Sequence, residues 1–145
     1  MRVLVQRVRE ASVEVDSKVV GEIDNGLLLF VGFTHTDTSK EIDYLVNKVI
    51  NLRVFDDENG VMNKSLLDTN GSILSISQFT LYADSSKGNR PSYANAMPGD
   101  KSIKLYEEFN SKLKEKNIHI ETGIFGADMK VSLINDGPIT IMLEK

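Results

Sequence analysis

The stretch SILSISQFTLYAD, residues 72–84, decides the fold of this chain. Its central ten residues are mostly apolar, β-branched or aromatic, a pattern typical of a strand buried on at least one face. Alternation of side chains along a strand puts Ser77 and Phe79 on one face, and Gln78 and Thr80 on the other. Burying such polar groups without partners costs about 1–3 kcal/mol each. The stretch is therefore either a half-buried strand with a solvated polar face, or a strand whose C-terminal end lines a pocket.

Outward from this stretch, the patterns of apolar residues predict about eight strands and two helices. Thr38 followed by Glu41 is typical of a capping box, and the apolar spacing behind it predicts a helix to about Leu52. Asp100 is the expected N-cap of a second helix over residues 101–116. Period-two or continuous apolar patterns predict strands at residues 2–8, 12–16, 19–23, 27–33, 53–55, 73–82, 118–125, 130–135 and 139–143.

Most of these strands are joined by turns, which favours an α+β fold. We expect a mostly antiparallel, β-barrel-like sheet with two helices packed outside it. The 145 residues contain no linker, repeat or low-complexity tract, so residues 1–145 are predicted to form a single domain.

The composition excludes several classes of protein. The chain has no cysteine, which excludes disulfides, thiolate nucleophiles and Cys-based zinc sites. A formal charge of −4 argues against binding nucleic acid through bulk electrostatics, although contact with one end of an RNA needs only a local site. No apolar run approaches the roughly 20 residues of a membrane helix. We expect a cytoplasmic protein without membrane contact.

Residues 85–100 form a long predicted loop, and loops of this length in compact domains are usually functional or disordered. This loop contains Lys87 and Arg90, the most basic local pair in an acidic chain. They are candidates for contacting RNA phosphates; the alternative is a solvated loop with ordinary surface charges.

The residues favour chemistry without a metal, nucleotide cofactor or thiol. The two histidines, His35 and His119, are far apart in the sequence, and nothing in their spacing places either beside Ser77 or Thr80. Gly123 and Gly126 lack the Lys-Ser/Thr ending of a phosphate-binding loop. Hydroxyls, backbone amides and the substrate itself remain as sources of catalysis.

The sequence NDGP at residues 135–138 is the second unusual feature. Asn-Asp-Gly alone is typical of a hairpin turn. Pro138 is less expected, because a proline at the start of a strand removes a ladder donor and restricts Gly137. The sequence does not decide whether the Gly137–Pro138 bond is cis; a cis bond here would make a rigid corner able to act as a steric wall.

These motifs together resemble the D-aminoacyl-tRNA deacylase family. Two signatures carry the resemblance, SQFTL at residues 77–81 and NDGPIT at residues 135–140. Ile139 stands where valine is common in the family, and Tyr93 where phenylalanine is common. The further matches, in order over the whole chain, are VQRV at 5–8, GNRPS at 88–92, TG at 122–123 and GADM at 126–129.

The resemblance implies a homodimer that hydrolyses the ester of D-aminoacyl-tRNA, and of mischarged glycyl-tRNA, without a cofactor. It implies a site at the dimer interface that receives the 3′-terminal aminoacyl-adenosine. In the family the Gly-Pro pair is cis and enters the pocket of the neighbouring subunit. Carried onto this chain, the carbonyls of Gly137 and Pro138 would hold the substrate's α-amino group, and Arg7 would fix the motif's orientation.

Catalysis by the backbone is the mechanism that the resemblance favours. The amides around Phe79 and Thr80 would stabilise the oxyanion, and the 2′-hydroxyl of the terminal adenosine would help to activate water. Ser77 and Gln78 would shape the pocket, although a purely structural role explains them almost as well. Two alternatives stay open: an esterase with Thr80 as nucleophile, and a non-catalytic module that binds aminoacyl-tRNA or an RNA end.

Overall fold

The computed structural model describes all 145 residues, from Met1 to Lys145. It confirms the α+β class, with eight strands and three helices. The strands are β1 (Arg2–Val15), β2 (Lys18–Ile23), β3 (Gly26–Gly32), β4 (Phe55–Asp56), β5 (Met62–Lys64), β6 (Ser72–Ser77), β7 (Ile120–Thr122) and β8 (Lys130–Glu144). The helices are α1 (Ser39–Ile50), α2 (Leu66–Thr69) and α3 (Gly99–Lys114), with a short 3-10 helix at Phe79–Tyr82.

The main sheet is mixed, so the expectation of a mostly antiparallel sheet is wrong in part. β1 pairs antiparallel with β2, β3 and β8, whereas β3–β6 and β6–β7 are parallel. Parallel neighbours need long crossover connections. The segment containing α1 provides one between β3 and β6, and the segment containing α3 provides the other between β6 and β7.

The sheet curls until its two ends nearly meet. A Cβ added to Gly21 of β2 would lie 2.8 Å from the carbonyl oxygen of Thr122 in β7, which shows how closely these end strands approach. The sheet therefore has the barrel-like shape that the sequence predicted. The short helix α2 is a third helix, which the sequence did not predict.

Apolar side chains on both faces of the sheet build the core. Leu27 and Leu29 of β3 pack into the larger cluster, with α1 and α3, while Leu28 packs into a smaller cluster with residues of β1, β2 and β6. This burial on both faces explains why β3 is continuously apolar rather than alternating.

The helix starts follow the sequence in one case and not in the other. Thr38 and Glu41 form the predicted capping box of α1. Asp100, predicted to cap the second helix, instead lies in the first turn of α3; the N-cap is Pro98 and makes no side-chain cap hydrogen bond. None of the helices is long and apolar enough to cross a lipid bilayer.

The predicted strand over residues 73–82 ends early, at Ser77. The backbone N–H of Gln78 still donates to the carbonyl of Val31 at 2.7 Å, but β3 itself ends one residue later at Gly32. A Cβ on Gly32 would lie 2.7 Å from the carbonyl oxygen of Gln78, so glycine is needed for this close crossing. The chain then turns into the 3-10 helix, and the predicted alternation beyond Ser77 is therefore wrong.

β8 is one strand where the sequence predicted two with a hairpin-type turn between them. Both halves run antiparallel to β1, with Gln6 opposite Thr140 and Val8 opposite Asn135. Between these two pairs, β1 advances by two residues and β8 by five. Residues 136–139 therefore bulge out of a continuous strand. The predicted strands at 53–55 and 118–125 are also shorter or shifted, at Phe55–Asp56 and Ile120–Thr122.

Candidate functional site

A cavity of about 550 Å³ lies at the C-terminal ends of β3 and β6. Ser77, Gln78 and Phe79 line it where β6 passes into the 3-10 helix. The chain segments that complete its wall are residues 31–33, 96–99, 125–129, Ile76, Tyr93, Ser102 and Val131. Its size is that of a small-molecule site, and most of its wall is apolar.

Two backbone donors at the start of the 3-10 helix have no partner. The N–H groups of Phe79 and Thr80 are too early in the helix to bond within it, and no loop or side-chain hydrogen bond uses them. The next N–H, from Leu81, already bonds to the carbonyl of Gln78. Free donors beside a cavity are what an oxyanion site requires.

The polar side chains of the SQFT motif divide between cavity and scaffold. Ser77 and Gln78 are half-buried and contribute to the cavity wall. Gln78 also donates its side-chain amide to the hydroxyl of Thr80. Thr80 itself is half-buried and is not among the residues that line the cavity. No hydrogen bond connects its hydroxyl to a histidine or a carboxylate.

Neither histidine is placed to act as a base at this cavity. His35 Nε2 lies 2.8 Å from the carbonyl oxygen of Ala94, and His119 Nε2 lies 3.1 Å from a carboxylate oxygen of Glu121. Neither ring lines the cavity. The chain holds no group of three or more His, Asp or Glu side chains suited to a metal ion.

A pair of aromatic rings that the sequence did not predict lies at the cavity. The rings of Phe79 and Tyr93 meet edge to face with centroids 5.1 Å apart, although 56% and 42% of these residues remain exposed. Behind the cavity, Tyr106 donates its hydroxyl to the carbonyl of Ser75 at 2.7 Å and packs on Phe125 of the wall. Burial raises the pKa of Tyr106 above its usual value. Only tertiary packing brings these rings to one place.

The NDGP bulge is held by side-chain hydrogen bonds on both flanks. Asn135 donates its side-chain amide to the carbonyls of Arg7 and Ile139, both at 2.9 Å. The Gly137–Pro138 bond is cis, and both residues are exposed. Gly137 has a φ of +113°, a conformation that favours glycine.

Arg7 lies close to this bulge. Its Nη1 donates to the carbonyl of Val54 at 2.7 Å and lies 3.3 Å from a carboxylate oxygen of Asp56. Its Nε is 3.1 Å from a carboxylate oxygen of Asp136, an ion pair whose angle is not that of a hydrogen bond. A Cβ on Gly137 would lie 3.2 Å from Nη2. The guanidinium thus ties the bulge to the segment before β4.

Within one chain, the bulge and the cavity are far apart. Arg2 of β1 pairs with Gly32 at the cavity, whereas Arg7, five residues further along, pairs with Leu27 and supports the bulge. Five residues of extended strand span about 17 Å. The predicted site residues therefore fall into two groups, and a single chain does not bring Gly137 and Pro138 to the SQFT residues.

Lys87 and Arg90 lie on the exposed loop between the 3-10 helix and α3. Neither makes an ion pair, and neither lines the cavity. The loop is anchored on either side of them, where Asp84 and Ser92 exchange backbone hydrogen bonds of 2.8 Å.

The similarity to known proteins extends over nearly the whole chain. The family model for D-Tyr-tRNA(Tyr) deacylase matches residues 4–144. A D-aminoacyl-tRNA deacylase of Thermosipho africanus is 56% identical, covering 99% of this chain and 97% of the relative. One from Listeria monocytogenes is 57% identical, covering 99% of this chain and 95% of the relative.

Two solved structures share the fold. A structure described as c-Myc DNA Unwinding Element Binding Protein is 41% identical, with a TM-score of 0.94 over 100% of this chain and 99% of that one. A probable eukaryotic D-amino acid tRNA deacylase has a TM-score of 0.82 over 98% of this chain and 97% of that one. At 17% identity, the second likeness bears on the fold alone.

Proposed function

This chain belongs to the D-Tyr-tRNA(Tyr) deacylase family, and from that membership we infer that it hydrolyses D-aminoacyl-tRNA to free D-amino acid and tRNA. One observation carries the mechanism. The N–H groups of Phe79, which lines the cavity, and of Thr80, the next residue along the chain, have no hydrogen-bond partner. A cytoplasmic enzyme of translation quality control, acting without a cofactor, fits this activity.

Backbone donors would lower the barrier to ester hydrolysis by stabilising the negative charge on the carbonyl oxygen of the tetrahedral intermediate. Removing one such donor from a known oxyanion site costs about 2.7–4 kcal/mol of transition-state stabilisation. Water attacks the ester carbon, and the 2′-hydroxyl of the terminal adenosine helps to activate that water. The carboxyl group leaves with the free amino acid, and the 3′-oxygen of the tRNA takes up a proton.

This mechanism explains why Thr80 lacks the surroundings of a nucleophile. Its hydroxyl accepts a hydrogen bond from Gln78, and no histidine or carboxylate bonds to it. A serine or threonine nucleophile needs an adjacent base to become reactive. We assign Thr80 and Phe79 to the site through their backbone, and Ser77 and Gln78 to the shape and hydrogen bonding of the pocket.

The Gly137–Pro138 corner would act on the substrate held by a second copy of the chain. It is exposed and lies near Arg7, which is five residues of extended strand, about 17 Å, along β1 from Arg2 at the cavity end. A homodimer would therefore be needed to bring the corner to a cavity. β8, which carries the corner, has an open edge because it pairs only with β1. Ile134 and Met142 of β8 are also 50% and 47% exposed. Open edges and exposed apolar side chains are typical of surfaces that associate.

Chiral selection would follow from a steric wall. The carbonyls of Gly137 and Pro138 hold the substrate's α-amino group, and a D-residue then directs its side chain toward the open mouth. An L-residue holding the same amine would drive its Cβ into the wall. Selectivity of this kind rejects the wrong enantiomer rather than recognising a side chain. D-aminoacyl groups should therefore react at similar rates, and glycine, which lacks Cβ, should escape rejection.

The test is to incubate the protein with D-tyrosyl-tRNA, L-tyrosyl-tRNA and glycyl-tRNA and to measure the release of amino acid. We expect fast release from the D-tyrosyl and glycyl esters and little from the L-tyrosyl ester. A non-catalytic binding module would protect both tyrosyl esters. Equal cleavage of the two enantiomers would exclude the steric wall, and large differences among D-aminoacyl groups would indicate a pocket that reads side chains.

A further inference from the structure

We propose that four basic residues in the segment 85–104 form a surface that binds the phosphates of the tRNA acceptor end next to the cavity. The surface, called here the rim surface, comprises Lys87, Arg90, Lys101 and Lys104. This inference rests on the proposed function and adds the part of the substrate that lies outside the cavity. Lys101 and Lys104 belong to no motif that the sequence analysis singled out.

The distribution of charge singles out this segment. Residues 85–104 contain four basic residues and one acidic residue, whereas the rest of the chain contains thirteen basic and twenty acidic residues. The acidic remainder repels a polyanion on average, so the excess of basic residues in this segment favours the approach of an RNA there. That approach leads to the cavity, because the middle of the same segment lines it.

Along the chain, basic residues lie before and after the part of the segment that lines the cavity. Tyr93, residues 96–99 and Ser102 line the cavity, with Lys87 and Arg90 before them in the chain, and Lys101 and Lys104 among or just after them. Lys101 and Lys104 are three residues apart in the first turns of α3, so they share one exposed side of the helix.

The part of the segment between the two basic pairs is fixed to the fold. The N–H of Met97 donates to the carbonyl of Phe33 at 2.9 Å. The hydroxyl of Thr34 donates to the carbonyl of Asn95 at 2.6 Å. The two pairs therefore have a defined position relative to the cavity, which lets phosphate contacts set the register of the bound strand.

All four side chains are available to an anion. Each is exposed, and none makes an ion pair. By contrast, six of the other thirteen basic side chains are paired with carboxylates. The acidic residue of the cavity wall, Asp128, is itself paired with Lys130 at 2.9 Å and so opposes an anion less.

The experiment compares two variants that carry the same net charge. The test variant replaces the rim surface by glutamine: Lys87→Gln, Arg90→Gln, Lys101→Gln and Lys104→Gln. The control variant replaces four exposed lysines that also lack ion pairs but lie away from the cavity: Lys40→Gln, Lys48→Gln, Lys114→Gln and Lys116→Gln. Each enzyme is assayed on D-tyrosyl-tRNA and on 3′-O-D-tyrosyl-adenosine, which has no phosphates.

We expect kcat/KM for the tRNA, divided by kcat/KM for the adenosine ester, to fall at least about tenfold in the test variant only. Each lost phosphate contact lowers the salt dependence of binding by about 0.7–0.9, so the slope of log K against log salt should flatten by about 3. A folded state as stable as that of the parent in urea shows that the loss is one of contact.

An unchanged ratio in the test variant would overturn the proposal, and so would an equal fall in both variants, which would indicate bulk charge. Failure of the parent to hydrolyse either substrate would count against the proposed function instead. The salt dependence of binding to deacylated tRNA still tests the rim surface in that case. A slope that is identical in all three proteins would then refute it.

Discussion

Replacing Asp136 by asparagine tests whether the Gly137–Pro138 corner selects the enantiomer. Asp136 directly precedes the corner, and its two carboxylate oxygens lie 3.1 Å from the Nε atoms of Arg7 and Arg9. Asparagine keeps the size of the side chain and removes the charge that pulls the corner onto Arg7.

The expected loss of enantioselectivity can be estimated from the contacts that Arg7 keeps after the substitution. Only 9% of its side chain is exposed, but after the change it still donates to the carbonyl of Val54 and still faces Asp56. The loss is one charged contact that is partly exposed on the Asp136 side, worth about 1–2 kcal/mol. The contact with Arg9 adds little, because 70% of that side chain is exposed. If this energy holds the wall in place, the preference for the D-ester should fall by up to about thirtyfold.

The assay measures initial rates of hydrolysis of D-tyrosyl-tRNA and L-tyrosyl-tRNA, together with unfolding in urea. The matched control is Asp56→Asn, which removes the other carboxylate near Arg7, at 3.3 Å, without touching the corner. Both variants should lose similar stability, but only Asp136→Asn should lose enantioselectivity. An unchanged D-to-L ratio in Asp136→Asn, or an equal change in both variants, would refute the reasoning.

Five further substitutions test other parts of the structure. Thr80→Ala should keep most of the deacylase activity, because only the backbone of this residue is assigned to the chemistry; near-complete loss of kcat with unchanged tRNA binding would favour a nucleophile. His35→Ala and His119→Ala should leave the rate of hydrolysis nearly unchanged, and abolition by either would favour an esterase with a histidine base. Asp37→Ala should lower the free energy of unfolding in urea by about 3–5 kcal/mol, because it removes the carboxylate that lies 2.6 Å from the buried N-terminal ammonium and leaves that charge unneutralised. Burial, and then the charge of Asp37, raise the pKa of Tyr82 from 10 to about 12, so its stabilising contribution should be complete below pH 10 and lost as the pH rises to about 12. Tyr82→Phe should remove this part of the alkaline loss of stability in urea titrations, and an unchanged pH profile would contradict the assignment.

Local sequence determined the elements whose signals lie within a few residues. Thr38 and Glu41 specify the start of α1 because both partners of a capping box belong to the same turn. The apolar run at residues 27–33 specifies a central strand because burial on both faces leaves no position for a polar side chain. The motifs SQFTL and NDGPIT indicated the family by themselves, since a family signature needs no knowledge of which segments meet.

Tertiary structure alone decided where those segments go. The parallel pairing of β3 with β6, and the turn of residues 79–82 into a 3-10 helix at the close crossing of Gly32, depend on residues more than forty positions apart. The strand over 130–144 reads as two strands in sequence because its bulge looks like a turn, and only pairing with β1 makes it continuous. The separation of the Gly137–Pro138 corner from the cavity of its own chain has the same origin. The local sequence determines which side chains each segment carries, but the packing of the whole sheet determines the distances between the segments.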